Sequence, residues 1–105
     1  MVFELFESNL VAELKNLRPG LPSNARSKRL MFQILHGLKI MHACVIAHRD
    51  AKPANILLKE NGSVACVCDY GLSVDLNGAP KLSSNVVTRA YRPPELLLQS
   101  SSSEY

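Results

Sequence analysis

The 105-residue sequence contains no tryptophan, and aromatic residues make up only 6% of it. Its three cysteines are an odd number, without the spacing of a disulfide framework or of a four-ligand zinc site. No apolar run approaches the roughly 18 residues that a membrane span needs. The first residues lack the basic and then apolar pattern of a secretory signal. We therefore expect an intracellular protein, cytoplasmic or nuclear, with reduced thiols and no membrane partner.

An excess of one charge is also lacking. Twelve Lys and Arg against nine Asp and Glu give a formal net charge of +3, without a basic block interleaved with aromatic residues. Nucleic acid is therefore not an expected partner. What the sequence does have is 47% hydrophobic residues, which in a chain of this length supports one small unit with a modest core.

Apolar spacing predicts two helices. The first covers residues 10–17 and ends at the Pro- and Gly-containing run 18–22. The second covers residues 24–43, with Ser23 or Asn24 as its cap. Six apolar residues recur there at the helical period and predict a broad buried stripe. They are Leu30, Met31, Ile34, Leu35, Leu38 and Met41.

A hairpin and a long loop follow. Residues 56–58 and 64–68 have the composition of strands, and Asn61-Gly62 between them accepts the positive φ of a tight turn. Residues 45–47 form a short strand at best. Residues 69–85 show no period and predict a long loop, and a short helix is expected over residues 95–98 after two prolines. The fold class is α+β.

Three polar motifs stand in order along this framework. The run 48–55 reads HRDAKPAN, residues 69–71 read DYG, and residues 93–95 read PPE. A single aspartate in a loop is usually a turn former. An ordered set of three, with a hairpin between the first two, is much harder to obtain by chance.

This set resembles the catalytic core of eukaryotic protein kinases, over essentially the whole chain. Its motifs resemble the catalytic loop, the metal-binding D-F-G segment and the A-P-E motif. The run 87–98, VTRAYRPPELLL, is similar to the CMGC group of cyclin-dependent and mitogen-activated kinases. The resemblance implies a partial large lobe of the kinase fold over residues 1–105. It divides into a hinge-like segment 1–9, helices 10–43, a catalytic loop 48–55, a hairpin 56–68 and an activation segment 69–95.

The resemblance also implies an activity, the transfer of the ATP γ-phosphoryl group to protein Ser or Thr. Asp50 would accept the proton of the substrate hydroxyl, and Lys52 would add positive charge near the transferring group. Thr88 would hydrogen-bond both side chains. Asn55 and Asp69 would hold Mg²⁺ through oxygen, which suits a hard cation.

Residues outside the catalytic loop complete the implied nucleotide site. Backbone groups of Glu4 and Phe6 would read the adenine edge, and Leu57 would form the floor beneath it. Asn9 is also assigned to the nucleotide site. Lys52, Asn55 and Asp69 belong to it as well.

Regulation and substrate choice are implied in the same way. Ser83, with Ser84 as the alternative, would be phosphorylated, and Arg49 would pair with the phosphate. Val87 and Arg92 would favour a proline after the phosphoacceptor, since proline has no N–H to leave unsatisfied. The expected partners are protein substrates and a cyclin-like or docking protein.

Some expected parts are not in this sequence, and four residues depart locally from the family's pattern: Ala51, Tyr70, Ala90 and Pro93. We find no Gly-rich loop and no lysine-bearing strand ahead of the hinge-like segment, so we expect the 105 residues alone to be inactive. Tyr70 stands where the family carries Phe, and its hydroxyl needs a partner. The alternative function is a kinase-derived fragment or pseudokinase that acts as a binding or regulatory module. The retained residues favour the enzyme for the parent domain; they are Asp50, Lys52, Asn55 and Asp69.

Overall fold

A computed structural model of the chain describes residues 4–16, 24–78 and 88–97. Within these ranges the helices are α1 (Leu10–Asn16), α2 (Asn24–Ala43) and α3 (Pro94–Leu97). The strands are β1 (Ser8–Asn9), β2 (Ile46–Ala47), β3 (Ile56–Lys59), β4 (Val64–Val67) and β5 (Val74–Asp75). Single 3₁₀ turns occupy Pro53–Asn55, Tyr70–Leu72 and Arg89–Tyr91. Of the helices in the described ranges, none has the length and apolar character to cross a membrane.

The strands form two small antiparallel sheets. The first has the order β1-β3-β4, and its hairpin runs from the pair Ile56–Val67 to the pair Lys59–Val64. In the same sheet Asn9 of β1 lies opposite Leu57 of β3. The second sheet pairs β2 with β5. The first sheet therefore joins the hinge-like segment to the hairpin that follows the catalytic loop.

The core lies between α2 and this sheet. Side chains alternate along β3, so that Ile56 and Leu58 point inward while Leu57 faces the other side. Leu58 is fully buried, and Leu30 of α2 and Val67 of β4 pack in the same cluster. Burying one such aliphatic side chain contributes about 1.5–3 kcal/mol.

Both predicted helices, the short first one and the long second one, are confirmed, but the predicted stripe on α2 is only partly buried. Helix α2 has the predicted bounds, and α1 matches residues 10–16 of the first prediction. Leu30 is buried, whereas Met31 and Leu35 are 54% and 57% exposed. The prediction of a broad buried stripe was therefore wrong for these two residues, because the described sheet is only wide enough to cover one edge of it.

The predicted hairpin is confirmed, with Asn61-Gly62 in its turn. The turn spans residues 60–63, and Glu60 also has a positive φ of 54°, beside 55° for Asn61 and 74° for Gly62. The carboxylate of Glu7 accepts hydrogen bonds from the backbone N–H of Glu60 and of Asn61. These contacts compensate the strained backbone of a non-glycine residue at Glu60.

The start of the predicted long loop is ordered. Residues 70–72 form a 3₁₀ turn, and β5 pairs with β2. The backbone N–H of Leu76 then donates to the carbonyl of Val45 at 2.9 Å. A two-residue strand is too short for its period to be detected, which is why this part of the loop prediction was wrong. The short helix predicted at 95–98 begins one residue earlier, at Pro94, because proline suits the first helical turn.

Candidate active site

The catalytic-loop run lies between β2 and β3, and His48 anchors it from inside. His48 is only 3% exposed, and its Nε2 lies 2.9 Å from the carbonyl oxygen of Cys68. Its Nδ1 accepts the backbone N–H of Asp50 at 3.2 Å. Because Nδ1 accepts, Nε2 must carry the proton that bonds the carbonyl. The imidazole thus connects the loop to the end of β4.

Arg49 makes the sharp bend that brings Asp50 inward. Its φ of 64° lies in the left-handed region, which costs free energy for a non-glycine residue. Its side chain donates from Nε to the carbonyl oxygen of Leu72 at 2.7 Å. Arg49 therefore connects the catalytic loop to the residues that follow DYG.

Asp50 is the centre of the site. It is 6% exposed, and its Oδ2 lies 2.9 Å from the Lys52 Nζ. Thr88 Oγ1 donates to Oδ1 at 3.1 Å, and Asn55 Nδ2 donates to Oδ2 at 3.0 Å. Burial would raise the pKa of this carboxyl, but the hydrogen bonds from Lys52, Thr88 and Asn55, with the Lys52 charge, lower it below its usual value. Asp50 is therefore held as a carboxylate.

Lys52 and Thr88 also contact each other, so the three side chains form a closed network. The Lys52 ammonium donates to Thr88 Oγ1 at 2.7 Å, and Thr88 lies 36 positions away in sequence. The structure thus brings together the three residues predicted to be catalytic. Both carboxylate oxygens of Asp50 and the Thr88 hydroxyl oxygen accept hydrogen bonds. The network therefore holds the charged groups of Asp50 and Lys52 close together.

Asn55 and Asp69 stand at the adjacent ends of the hairpin strands. The Asn55 amide nitrogen donates to the backbone carbonyl of Asp50 at 2.9 Å as well as to its carboxylate, which leaves the amide Oδ1 for a cation. The Asn55 carbonyl accepts the N–H of Cys68 at 2.9 Å, so Asp69 is the next residue along. Asp69 is exposed, has a φ of 63° and accepts the Gly71 N–H.

The Asn55 amide oxygen and the Asp69 carboxylate could supply only some of the ligands that Mg²⁺ needs. No cluster of three or more His, Cys, Asp or Glu side chains that could hold a metal occurs in residues 4–16, 24–78 and 88–97. Mg²⁺ commonly binds one or two protein side chains and completes its shell with water and substrate phosphates. The pair Asn55 and Asp69 fits that pattern.

The residues that are predicted to bind the nucleotide lie along strands β1 and β3 of the first sheet. The backbone N–H of Glu7 donates to the Leu58 carbonyl at 3.0 Å, which fixes the hinge-like segment beside β3. Leu57 faces away from the core, as a floor residue would. The side-chain oxygen of Asn9 caps α1 by accepting the Ala12 N–H at 3.0 Å, a role that we did not predict.

The Tyr70 hydroxyl has the partner that it needs. It donates to the Val67 carbonyl at 2.8 Å, and its ring lies 5.5 Å from that of His48. Burial raises the pKa of this phenol, so it stays protonated as a donor.

Of the remaining predicted residues, Arg92 is half-buried. Ser83, Ser84 and Val87 lie outside the described residues, and their roles stay predictions.

Three contacting residues were missed from the sequence. Gln33 of α2 donates to the Ser63 carbonyl and accepts the Ala65 N–H, both at 2.9 Å, and so binds β4 along its backbone. Lys59 and Glu7 join the hinge-like segment to the hairpin. The signal for Gln33 was a polar residue beside the apolar stripe of α2. Lys59 and Glu7 carried no local signal.

Comparison with known proteins gives consistent matches. The family model for the protein kinase domain matches residues 1–105. The chain is 40% identical over 99 residues to mitogen-activated protein kinase 4 of Oryza sativa subsp. japonica, covering 93% of this chain and 26% of that protein. It is 44% identical over 94 residues to a protein of the same plant assigned as cyclin-dependent kinase F-2, covering 89% and 28%. A chain in the crystal structure of the yeast RNA Pol II CTD kinase complex matches with a TM-score of 0.84 and 35% identity, covering 94% of this chain and 32% of that one. The chain spans between a quarter and a third of these relatives.

Proposed function

Because the chain belongs to the protein kinase family, with mitogen-activated and cyclin-dependent kinases of the CMGC group as relatives, we propose that it carries the catalytic loop and metal-binding segment of a serine/threonine protein kinase. The predicted α+β kinase-like fold is confirmed by the structural match. The observation that carries the proposal is the closed network of Asp50, Lys52 and Thr88. A lysine two residues after the base is typical of serine/threonine kinases.

The network suits the proton transfer that this reaction requires. An ionised Asp50 orients the hydroxyl of the substrate Ser or Thr and takes its proton as the oxygen attacks phosphorus. Lys52 lies 2.9 Å from that carboxylate, so its charge is available to the phosphoryl oxygens. Thr88 holds both side chains in place. The chain's own contribution is therefore positioning and charge, which supply most of the catalysis in phosphoryl transfer.

ATP and Mg²⁺ are the proposed cofactors. When bound, they supply the phosphoryl group and neutralise its developing charge. The Asn55 amide oxygen and the Asp69 carboxylate would hold the metal. The backbones of Glu4 and Phe6 would contact the adenine edge, and Leu57 would lie beneath the ring.

A chimera tests the proposal directly. In it, residues 1–105 replace the matching segment of the rice mitogen-activated protein kinase 4, and Mg²⁺-dependent peptide phosphorylation is measured. Asp50→Asn should lower kcat by about 10²- to 10⁴-fold, the range for a general base. Asp75→Asn, which removes an exposed carboxylate, is the control and should retain activity. An inactive chimera, or full activity of Asp50→Asn, would contradict the proposal.

Substrate choice and regulation follow from the same proposal. We propose that Val87 and Arg92 favour a proline after the phosphoacceptor, and a peptide array without such enrichment would refute it.

Ser83, or else Ser84, is the proposed phosphorylation site, with Arg49 as the phosphate partner. Unchanged activity and phosphate incorporation in Ser83→Ala and Ser84→Ala would show that neither serine is the regulatory phosphorylation site. The proposed setting is the cytoplasm or nucleus, with a cyclin-like or docking partner.

A second candidate function is that of a binding or regulatory module without catalysis. The supporting observation is the outer face of α2, where Phe32, Leu35 and Ile40 are 71%, 57% and 55% exposed. Clustered apolar side chains of this kind mark binding surfaces. A chimera that binds nucleotide but transfers no phosphate, and in which Phe32→Ser abolishes partner binding, would favour this function over the first.

A further inference from the structure

Lys59, the last residue of β3, contacts the hinge-like segment at two places. Its ammonium forms an ion pair and hydrogen bond with the Glu4 carboxylate. The same nitrogen lies 5.6 Å from the centroid of the Phe6 ring, within the range of a cation–π contact. Glu4 and Phe6 are the two residues whose backbones are assigned to the adenine edge. One side chain therefore contacts both residues that would read the base.

The direction of β3 places Lys59 beside the floor of the same site. Leu57 and Lys59 are two residues apart on one strand, so their side chains leave the same face of the sheet. Ile56 and Leu58 occupy the opposite, buried face. The contacts of Lys59 thus connect the segment at the edge of the proposed adenine site to the strand beneath it.

We propose that Lys59 is a positioning residue for nucleotide recognition, holding the backbone of residues 4–6 at a fixed place relative to Leu57. The inference rests on the proposed function, because it assigns the held segment to adenine. Lys59 itself does not touch the reacting atoms.

The ion pair between Lys59 and Glu4 is exposed. Its effect on the position of residues 4–6 can therefore be measured separately from its effect on overall stability. The side chains of Lys59 and Glu4 are 27% and 64% exposed, and ion pairs in such positions add little to the free energy of unfolding. The segment has a second attachment at Glu7, whose carboxylate accepts the N–H groups of Glu60 and Asn61 at 3.2 and 3.1 Å. Removing Lys59 should therefore loosen residues 4–6 while the sheet stays paired.

Amide hydrogen exchange on the 105-residue chain tests the structural half of the proposal. Lys59→Met keeps the aliphatic stem and removes the charge. It should speed exchange over residues 4–7 about two- to fivefold, the range that an exposed ion pair gives, and leave residues 48–58 unchanged. The amide that reports this change is the Glu7 N–H, which donates to the Leu58 carbonyl. Lys59→Arg should restore protection, and Lys39→Met on the exposed side of α2 is the matched control. Exchange over residues 4–7 that is unchanged in Lys59→Met would overturn the proposal.

Steady-state kinetics in the chimera tests the functional half. Lys59→Met should raise the KM for ATP about two- to fivefold at unchanged kcat and unchanged KM for peptide, and Lys59→Arg should reverse the change. Glu4→Gln should give the same shift, and the double variant should not add to it. An active chimera with an unaltered KM for ATP would refute the nucleotide role. An inactive parent chimera would contradict the proposed function instead, and hydrogen exchange would still decide whether Lys59 holds the segment.

Discussion

The two ends of the β3–β4 hairpin are held in place in different ways. At the base end, Asn55 and His48 are buried side chains that bind the backbone of Asp50 and Cys68. At the turn end, the backbone of residues 60–65 is held by three side chains from two other parts of the chain. These are Glu7 of the hinge-like segment and two residues of α2, Arg26 and Gln33. Arg26 also pairs with Glu13 of α1.

This difference matches what each end has to do. Buried hydrogen bonds are costly to break, because the groups left behind have no water to bind. They fix the atoms of Asp50, Asn55 and their neighbours within tight limits, as catalysis requires. The turn end has only to keep the hairpin pointing in one direction, and contacts at its surface are sufficient for that. We therefore expect changes at the base end to alter chemistry and changes at the turn end to alter stability.

After the loss of turnover expected for Asp50→Asn, the next largest expected effect is on metal binding at the base end. Asp69 and Asp75 are a matched pair, because both are exposed and each accepts the backbone N–H two residues later, from Gly71 and Asn77. In the chimera, Asp69→Asn should weaken the apparent affinity for Mg²⁺ at least about 10- to 100-fold, since even residues outside a metal's direct ligands have effects of that size. Asp75→Asn should leave it unchanged. Equal losses in the two variants, measured by Mg²⁺ titration of turnover, would show that Asp69 is not a metal ligand.

A smaller effect, on stability, is expected where Gln33 holds β4. Gln33→Leu introduces an apolar side chain of similar size. It leaves the Ala65 N–H and the Ser63 carbonyl without their partner. The free energy of unfolding of the chain should fall by about 0.5–1.5 kcal/mol, the net contribution of a typical hydrogen bond, because both contacts are only partly buried. Denaturant titration checks this, with Lys39→Leu as an exposed control on the same helix. If the two variants unfold at the same denaturant concentration, the contact of Gln33 with β4 contributes nothing to stability.

The sequence predicted those features of the fold that repeat over many residues or depend on local turn chemistry. The apolar spacing of α2 extends from Leu30 to Met41, about three turns of helix, and the hairpin has strands on either side of Asn61-Gly62. The resemblance to protein kinases predicted that Asp50, Lys52 and Thr88 would meet, although Thr88 is 36 residues from Lys52. Here the family resemblance supplied a long-range contact that no local pattern contains.

Features that depend on tertiary contacts were not predictable in this way. The positive φ of Glu60 depends on the carboxylate of Glu7, which lies 53 positions earlier in the sequence. Strands β2 and β5 have two residues each, so no alternation identifies them. The exposure of Met31 and Leu35 depends on how far the sheet extends across α2. In each case the determining neighbour is distant in the chain.

The smallest expected effect distinguishes the two ends by their response to acid. The pKa of Asp50 is lower in the folded chain than the value of about 3.9 expected when the chain is unfolded. The unfolded state therefore takes up a proton first, so this carboxylate stabilises the fold at neutral pH, and the contribution is lost as the pH falls below about 4 through the folded-state pKa. Unfolding titrations between neutral pH and about pH 3 should show a steeper acid loss for the parent chain than for Asp50→Asn. Gln33→Leu, which removes a side chain that does not titrate, should lower stability by the same amount at every pH. Parallel curves for the parent chain and Asp50→Asn would mean that the hydrogen bonds to Asp50 do not favour its ionised form.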